Sequence, residues 1–166
     1  MKKSIFTFLS LFLLAIYSCG TKKQQNNDKF QGMWKLDKFE SFDSGIWTAD
    51  TTRSGYTGFI IYDGKGHMSV QLIPKGYNDL NSNVEIDSLN QEDLKSLTKL
   101  YSSNYVYFAD YILSDSTIEH KILSATDPAN CGQTLTRNFE FKGDTLILTP
   151  HVNVGDRKLR LKWTKI

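Results

Sequence analysis

Short runs of alternating apolar and polar residues recur along most of this 166-residue chain, with turn residues between them. A period of two is typical of strands that bury one face, because successive side chains point to opposite faces of a sheet. Clusters of Gly, Asp and Ser such as 63–66, 115–116 and 143–144 supply tight turns between the runs. The pattern predicts eight strands, at 33–41, 55–62, 67–73, 105–113, 117–124, 134–141, 145–149 and 158–164.

Eight antiparallel strands joined mostly by hairpins can form a sandwich or a closed barrel. The hairpin order favours the barrel, because closure removes the exposed edge strands. We therefore expect an all-β domain over residues 30–166, an eight-stranded antiparallel up-and-down β-barrel. An interior of that size is either filled by side chains or holds one small ligand, and the sequence leaves both alternatives open.

One short helix is predicted between the third and fourth strands. Ser88, with Gln91 three residues later, has the form of a capping box at a helix start. The apolar residues that follow share one helical face, namely Leu94, Leu97, Leu100 and Tyr101. The helix would be either a plug packed on one end of the sheet or a mobile lid.

Residues 1–18 are predicted to be a signal peptide. Lys2 and Lys3 precede a nearly unbroken apolar run at 5–17, which is shorter than the roughly 20 residues that a bilayer span needs. The run ends at Ile16-Tyr17-Ser18-Cys19, which resembles the lipobox of bacterial lipoproteins. The resemblance implies cleavage before Cys19 and acylation of Cys19 with fatty acids such as palmitate, which would hold the protein on a membrane.

Residues 19–29 are expected to be the lipidated Cys19 and a flexible polar tether. The chain has 20 Lys+Arg and 18 Asp+Glu, and residues 1–18 hold two lysines and no acid. The remainder is therefore neutral, which argues against a nucleic-acid partner. Because Gly20 stands where some lipoproteins carry the Asp that retains them in an inner membrane, we expect a cell-envelope protein, lipid-anchored in an outer membrane and facing the periplasm.

Several blocks between Gly32 and Ile166 are similar to the bacterial lipocalin-like domain family. The longest is 58–72, GFIIYDGKGHMSVQL, and shorter ones are Gly32-Met33-Trp34, 105–111, 117–120 and 161–163. The resemblance implies a lipocalin-like barrel in which Trp34 packs across one end and an arginine beside the last strand, Arg157 or Arg160, lies over it. It implies little about activity, because fold does not determine function.

Strand parity identifies polar side chains that point into this barrel. His120 shares a face with Ile118 and Ile122, and Arg137 shares one with Leu135 and Phe139. An inward arginine needs a partner, because a lone buried charge is costly. Asp110, tyrosine hydroxyls, water or an anionic ligand are the alternatives. Parity leaves the inward face open on the strand 105–113, where a tyrosine-lined wall is expected, and on the strand 67–73. The predicted ligand-binding residues are His120, Arg137, Tyr107, Tyr111 and Gln71.

Three functions remain open from the sequence. The first is a binding protein that holds a small hydrophobic or amphiphilic ligand in its barrel. The second is an isomerase-like or cyclase-like enzyme that acts on a lipid or polyketide through His120 and Arg137. The third is an interaction protein with a packed interior. No sequence motif for a cofactor, a metal or a catalytic nucleophile is present, the histidines lie on separate strands, and Cys131 has no disulfide partner if Cys19 is acylated.

Overall fold

The computed structural model describes residues 27–80, 85–153 and 157–166. Within them the chain forms nine strands and one longer helix. The strands are β1 Gly32–Asp43, β2 Ile46–Ala49, β3 Thr57–Tyr62, β4 His67–Ile73, β5 Tyr105–Leu113, β6 Thr117–Ala125, β7 Thr134–Lys142, β8 Thr145–Pro150 and β9 Leu159–Lys165, and the helix α1 is Gln91–Ser103. The predicted signal peptide and Cys19 lie outside the described residues.

The sheet closes into a barrel. From β3 to β9 each strand pairs antiparallel with the next one along the chain. The long first strand β1 completes the ring, because it pairs with β3 over Gly32–Lys35 and with β9 between Trp34 and Ser41. The predicted eight-stranded antiparallel barrel is therefore confirmed, built from β1 and β3–β9.

One strand was missed by the sequence analysis. The far half of β1 continues beyond its contact with β3, and the chain then folds back as β2, which pairs with Glu40–Asp43 on the edge of β1 opposite β9. Ser44 and Gly45 both have positive φ, 49° and 86°, the geometry of a tight two-residue hairpin turn. The helix α1 lies between the strands predicted at 67–73 and 105–113, and the extra strand makes these β4 and β5 of the structure, not the third and fourth strands.

The helix also begins differently from the prediction. Its cap is Asn90, whose side-chain oxygen accepts hydrogen bonds from the backbone N–H groups of Glu92 and Asp93. Ser88 instead ends a short 3₁₀ turn. No residue of α1 is buried, so the helix does not plug the barrel. None of the helices in the described ranges has the length and apolar character needed to cross a membrane.

One end of the barrel, the end with the β3–β4 hairpin, is closed by the segment that precedes β1. Residues 27–30, three of which belong to the stretch predicted to be a tether, form a helical turn. Phe30 is fully buried and makes edge-to-face contacts with Tyr62, Phe139 and Phe141 at centroid distances near 5.0 Å. The Asn27 side chain donates to the Gly64 carbonyl oxygen, which ties this turn to the β3–β4 hairpin.

Trp34 packs at this closed end, as the family resemblance implied, and its indole N–H donates to the Phe30 carbonyl oxygen at 2.8 Å. The cation over its ring is Lys165, at 5.1 Å. The expectation of Arg157 or Arg160 in that place was wrong, because those two arginines lie near the opposite end of β9 and pair with Asp50 and Glu40.

Candidate functional site

A cavity of about 460 Å³ occupies the open half of the barrel interior. Ligand-binding cavities range over roughly 300–1,000 Å³, so this volume suits one small molecule. Its wall is mainly apolar and includes Phe39, Ile60, Val70, Leu72, Leu148 and Leu161. Polar residues from the connections at the open end also contribute, namely Arg53, Ser103, Asn130 and Asn153. The interior is therefore only partly filled by side chains.

His120 lies beneath this cavity at the centre of a hydrogen-bonded group. The β6 alternation places it inside the barrel between Ile118 and Ile122, and it is fully buried. Its Nε2 is 3.1 Å from the Tyr62 hydroxyl, and its Nδ1 is 2.8 Å from the Tyr107 hydroxyl. The predicted inward orientation of His120 is confirmed, and both ring nitrogens have partners.

Arg137 joins the same group from β7. Its Nη1 lies 3.2 Å from His120 Nδ1 and also donates to the Leu135 carbonyl oxygen at 3.2 Å. Arginine has donors and no acceptor, so His120 Nδ1 must accept this bond. The imidazole proton is therefore on Nε2 and is donated to the Tyr62 oxygen.

The buried members of this group are uncharged, and Arg137 carries the charge. Burial, reinforced by Arg137, holds the pKa of His120 well below its usual value of 6.5. Burial raises the pKa of Tyr62 and of Tyr107 above 10.0. At neutral pH the group therefore consists of a neutral imidazole, two neutral phenols and one guanidinium.

No carboxylate of a described residue forms an ion pair with Arg137. The alternative that Asp110 would neutralise it is wrong, because Asp110 lies on the outer face of the barrel with an oxygen 4.0 Å from His67 Nε2. Arg137 is half-buried and lines the cavity. Arg137 therefore presents a cationic donor to a mainly apolar cavity, whereas the other arginine of the lining, Arg53, pairs with Asp50.

The structure brings together some of the predicted ligand-binding residues and separates others. Tyr107 and Arg137 line the cavity, with His120 behind them. Tyr111 is buried near the closed end, where its hydroxyl donates to the Asn27 side chain at 2.7 Å. Gln71 is wrongly placed by the prediction, because it points away from the cavity and donates to Asn104. Its neighbours Val70 and Leu72 line the cavity instead.

Tyr62 is the member of the central group that the sequence analysis missed. It ends β3 on the same face as Ile60 and is 1 % exposed. Alternation along β3 would have found it, since a tyrosine two residues after a buried isoleucine shares its face. Within the described ranges no three His, Cys, Asp or Glu residues are grouped so that they could hold a metal ion.

Comparison with known proteins places this barrel among related domains. A family model described as a lipocalin-like domain matches residues 31–166. A search of curated proteins found no match. Among solved structures, an uncharacterised protein from Bacteroides eggerthii is 13% identical, with a TM-score of 0.41 over 82% of this chain and 99% of the other.

Two further solved structures have similar scores. A mutant of the fluorescent protein UnaG is 13% identical, with a TM-score of 0.39 over 84% of this chain and 97% of the other. Fatty-acid-binding protein 1 of Echinococcus granulosus is 15% identical, with a TM-score of 0.39 over 84% of this chain and 98% of the other. Structural similarity at this level carries no argument about a ligand, which has to come from the residues of the cavity.

Proposed function

Since this chain belongs to the lipocalin-like domain family, we propose that its barrel binds a small amphiphilic acid, with the anionic group of the ligand against Arg137 and its apolar part in the open half of the interior. The observation that carries this proposal is the Arg137 guanidinium, which lines a mainly apolar cavity and forms no ion pair with a carboxylate of the described residues. The other titratable members of the central group, His120, Tyr62 and Tyr107, are neutral. The ligand therefore supplies the negative charge that balances Arg137.

The electrostatics support an anion in this position. A charge taken out of water without a counterion is costly, and a carboxylate that accepts hydrogen bonds from a guanidinium removes that cost on both sides. His120 cannot serve as the counterion because it is neutral and already accepts a hydrogen bond from Arg137. Its role is to position the guanidinium by holding Nη1 at 3.2 Å.

The shape of the cavity supports a ligand of modest size. At about 30 Å³ for each water in the liquid, 460 Å³ corresponds to roughly fifteen water-sized groups. Arg137 lies toward the inner part of the cavity and Arg53 toward its open end, where Asp50 pairs with Arg53 at 3.2 Å. The ligand therefore enters with its acid group first and leaves its apolar part among Phe39, Leu72 and Leu161.

The test compares dodecanoic acid with dodecanol, which share a tail and differ in the charged group. Calorimetric titration should give binding of the acid and at least about tenfold weaker binding of the alcohol, since hydrogen bonds to charged groups are worth about 1.5–3 kcal/mol. Arg137→Gln should remove this preference. Lys121→Gln on the exposed outer face of β6 is the matched control and should keep it.

Two results would contradict the proposal. The first is equal binding of the acid and the alcohol by the wild-type protein. The second is an unchanged preference for the acid in Arg137→Gln when circular dichroism shows that the variant is folded.

We further propose that the domain is a lipoprotein of the cell envelope, anchored through acylated Cys19 and facing the periplasm from an outer membrane. The support is the lipobox-like sequence Ile16-Tyr17-Ser18-Cys19. Mass spectrometry of protein expressed with its signal should show loss of residues 1–18 and the added mass of acyl chains on Cys19. Cys19→Ala should release the protein from the detergent phase to the aqueous phase, and a wild-type protein that stays aqueous would contradict the anchor.

A further inference from the structure

A second cavity, of about 580 Å³, lies on the outer wall of the barrel. It is formed where β2 stands beside the outward-facing side chains of β7, β8 and β9. Trp47 of β2, Asn138 of β7, Ile147 of β8 and Arg160 of β9 contribute to its lining. Only Pro150 is shared with the lining of the interior cavity, so a ligand here would be separated from the interior by the wall of the barrel.

Positive charge accumulates around this outer cavity. Arg160 donates to the Glu40 carboxylate, and Lys162 meets the other oxygen of the same carboxylate at 2.8 Å. Glu40 is only 7 % exposed, and its carboxylate forms ion pairs with both cations. Burial alone would raise the pKa of Glu40. The hydrogen bonds and positive charges of Lys162 and Arg160 outweigh this effect and lower the pKa, which keeps the carboxylate ionised.

A third cation has no carboxylate partner among the described residues. The Lys158 ammonium lies 5.3 Å from the Phe42 ring centroid and 5.9 Å from that of Trp47, and it lines the cavity. The one carboxylate in the lining, that of Glu140, is 3.2 Å from the Lys142 ammonium. Among the described residues the surroundings of the cavity therefore hold four cations and two carboxylates, an excess of positive charge that favours an anionic ligand.

The remaining lining suits a ring that carries hydroxyl groups. Ile147 is 3 % exposed and forms an apolar floor. The indole of Trp47 is held in place by the Arg160 guanidinium, 4.3 Å from its centroid. His151 Nε2 and Asn138 Oδ1 are 3.0 Å apart, which leaves the Asn138 amide N–H groups and the second ring nitrogen of His151 for a ligand.

We propose that this outer cavity is a second binding site, which takes an acidic sugar: a hydroxylated ring against Trp47 and Ile147, with its anionic group held by Lys158 and Arg160. The hydroxyl groups of the ring exchange hydrogen bonds with Asn138, Thr149 and His151. Binding here is independent of the interior ligand, because the two cavities lie on opposite faces of the same strands.

The test uses glucuronic acid, with glucose as the matched neutral probe, in calorimetric titrations and in tryptophan fluorescence. Trp34 and Trp163 are 2 % and 1 % exposed, so a fluorescence change would report on Trp47. Glucuronic acid should bind saturably and at least about tenfold more tightly than glucose. Lys158→Gln should remove this preference, and Trp47→Phe should weaken binding of both sugars.

Two controls keep the result specific. Lys121→Gln removes an exposed lysine elsewhere on the outer face and should leave glucuronic acid binding unchanged. Arg137→Gln affects the interior site alone, so it should also leave glucuronic acid binding unchanged, which separates failure of this proposal from failure of the interior one. Equal binding of the two sugars, no saturable binding, or full binding by a folded Lys158→Gln variant would overturn the proposal.

Discussion

The Arg137 guanidinium lies 3.2 Å from Nδ1 of the fully buried His120 imidazole. Burial of the ring lowers the pKa of His120, and the nearby Arg137 cation lowers it further because it disfavours a second positive charge. The core of the barrel therefore contains a histidine that remains neutral in the folded protein at pH values where a solvated histidine is protonated.

This relationship predicts that acid weakens the fold through His120. Below about pH 6.5 the unfolded chain binds a proton that the folded chain excludes, so the free energy of unfolding falls as pH decreases. One such group contributes up to about 1.4 kcal/mol per pH unit until the depressed pKa is reached. Urea unfolding at a series of pH values should give a shallower decline for His120→Gln than for the wild type. Parallel curves would contradict the prediction.

His67 provides a contrast of opposite sign. The Asp63 carboxylate raises the pKa of this exposed histidine, so its pairing stabilises the folded state at low pH and the effect is lost as pH rises through the raised value. Between about pH 6.5 and the raised value, the His67 contribution should therefore fall as pH rises, and His67→Gln should lack this fall, whereas His120→Gln alters the decline below about pH 6.5. Urea unfolding across both ranges measures the two effects, and an unchanged slope above pH 6.5 in His67→Gln would contradict the first.

The same contact predicts the tautomer of His120. Because Arg137 can only donate, Nδ1 holds a lone pair and Nε2 carries the proton, which it donates to the Tyr62 oxygen 3.1 Å away. Nitrogen NMR of labelled protein should show Nδ1 in the unprotonated range and Nε2 in the protonated range. Tyr107→Phe should leave this assignment unchanged, because Arg137 still donates to Nδ1, and should cost about 1 kcal/mol of stability. A proton on Nδ1 would be inconsistent with the network.

We expect truncation of Phe30, at the closed end of the barrel, to lower the free energy of unfolding strongly. Its ring is fully buried among three aromatic rings, and truncation of such a side chain leaves a cavity. Phe30→Ala should reduce the free energy of unfolding by about 3–5 kcal/mol. Phe108→Ala is the matched control, because Phe108 is 55 % exposed on the outside of β5, and it should change stability by no more than about 0.5 kcal/mol. Equal effects would mean that residues 27–30 do not close the barrel.

Alternation along single strands was sufficient to predict much of the interior. His120 and Arg137 each lie on a strand whose inward face follows from a period of two, and each points inward in the structure. Parity was ambiguous on the strand of Tyr107, which also points inward. On β4 the analysis left the inward set open, and Gln71 turned out to face away from the cavity. Alternation is also interrupted within β1, where the register with β9 shifts between Leu36 and Lys38, and no residue type marks such a bulge.

Features that depend on distant parts of the chain could not be predicted. Residues 27–29 are polar and suggested a tether, yet Asn27 bonds to Gly64 and to Tyr111, both far along the chain. The volume of the interior likewise depends on how side chains from all the strands fill a shared space. Hydrophobic pattern predicts which face is buried, whereas it does not predict how completely that face is covered.

We expect a steric effect when a side chain is added at Gly58 on β3, within the sequence block 58–72. A methyl group there would overlap the backbone carbonyl oxygen of Gln71 and lie 3.2 Å from the Leu72 side chain. Its φ is not in the left-handed region, so the cost comes from crowding and not from backbone strain. Because the obstacle is backbone, β3 and β4 would have to separate, and Gly58→Ala should destabilise the fold by about 1–3 kcal/mol. Ser69→Ala, two residues before Gln71 on β4, should have an effect within about 0.5 kcal/mol, and a Gly58→Ala variant as stable as this control would show that the two strands do not approach so closely.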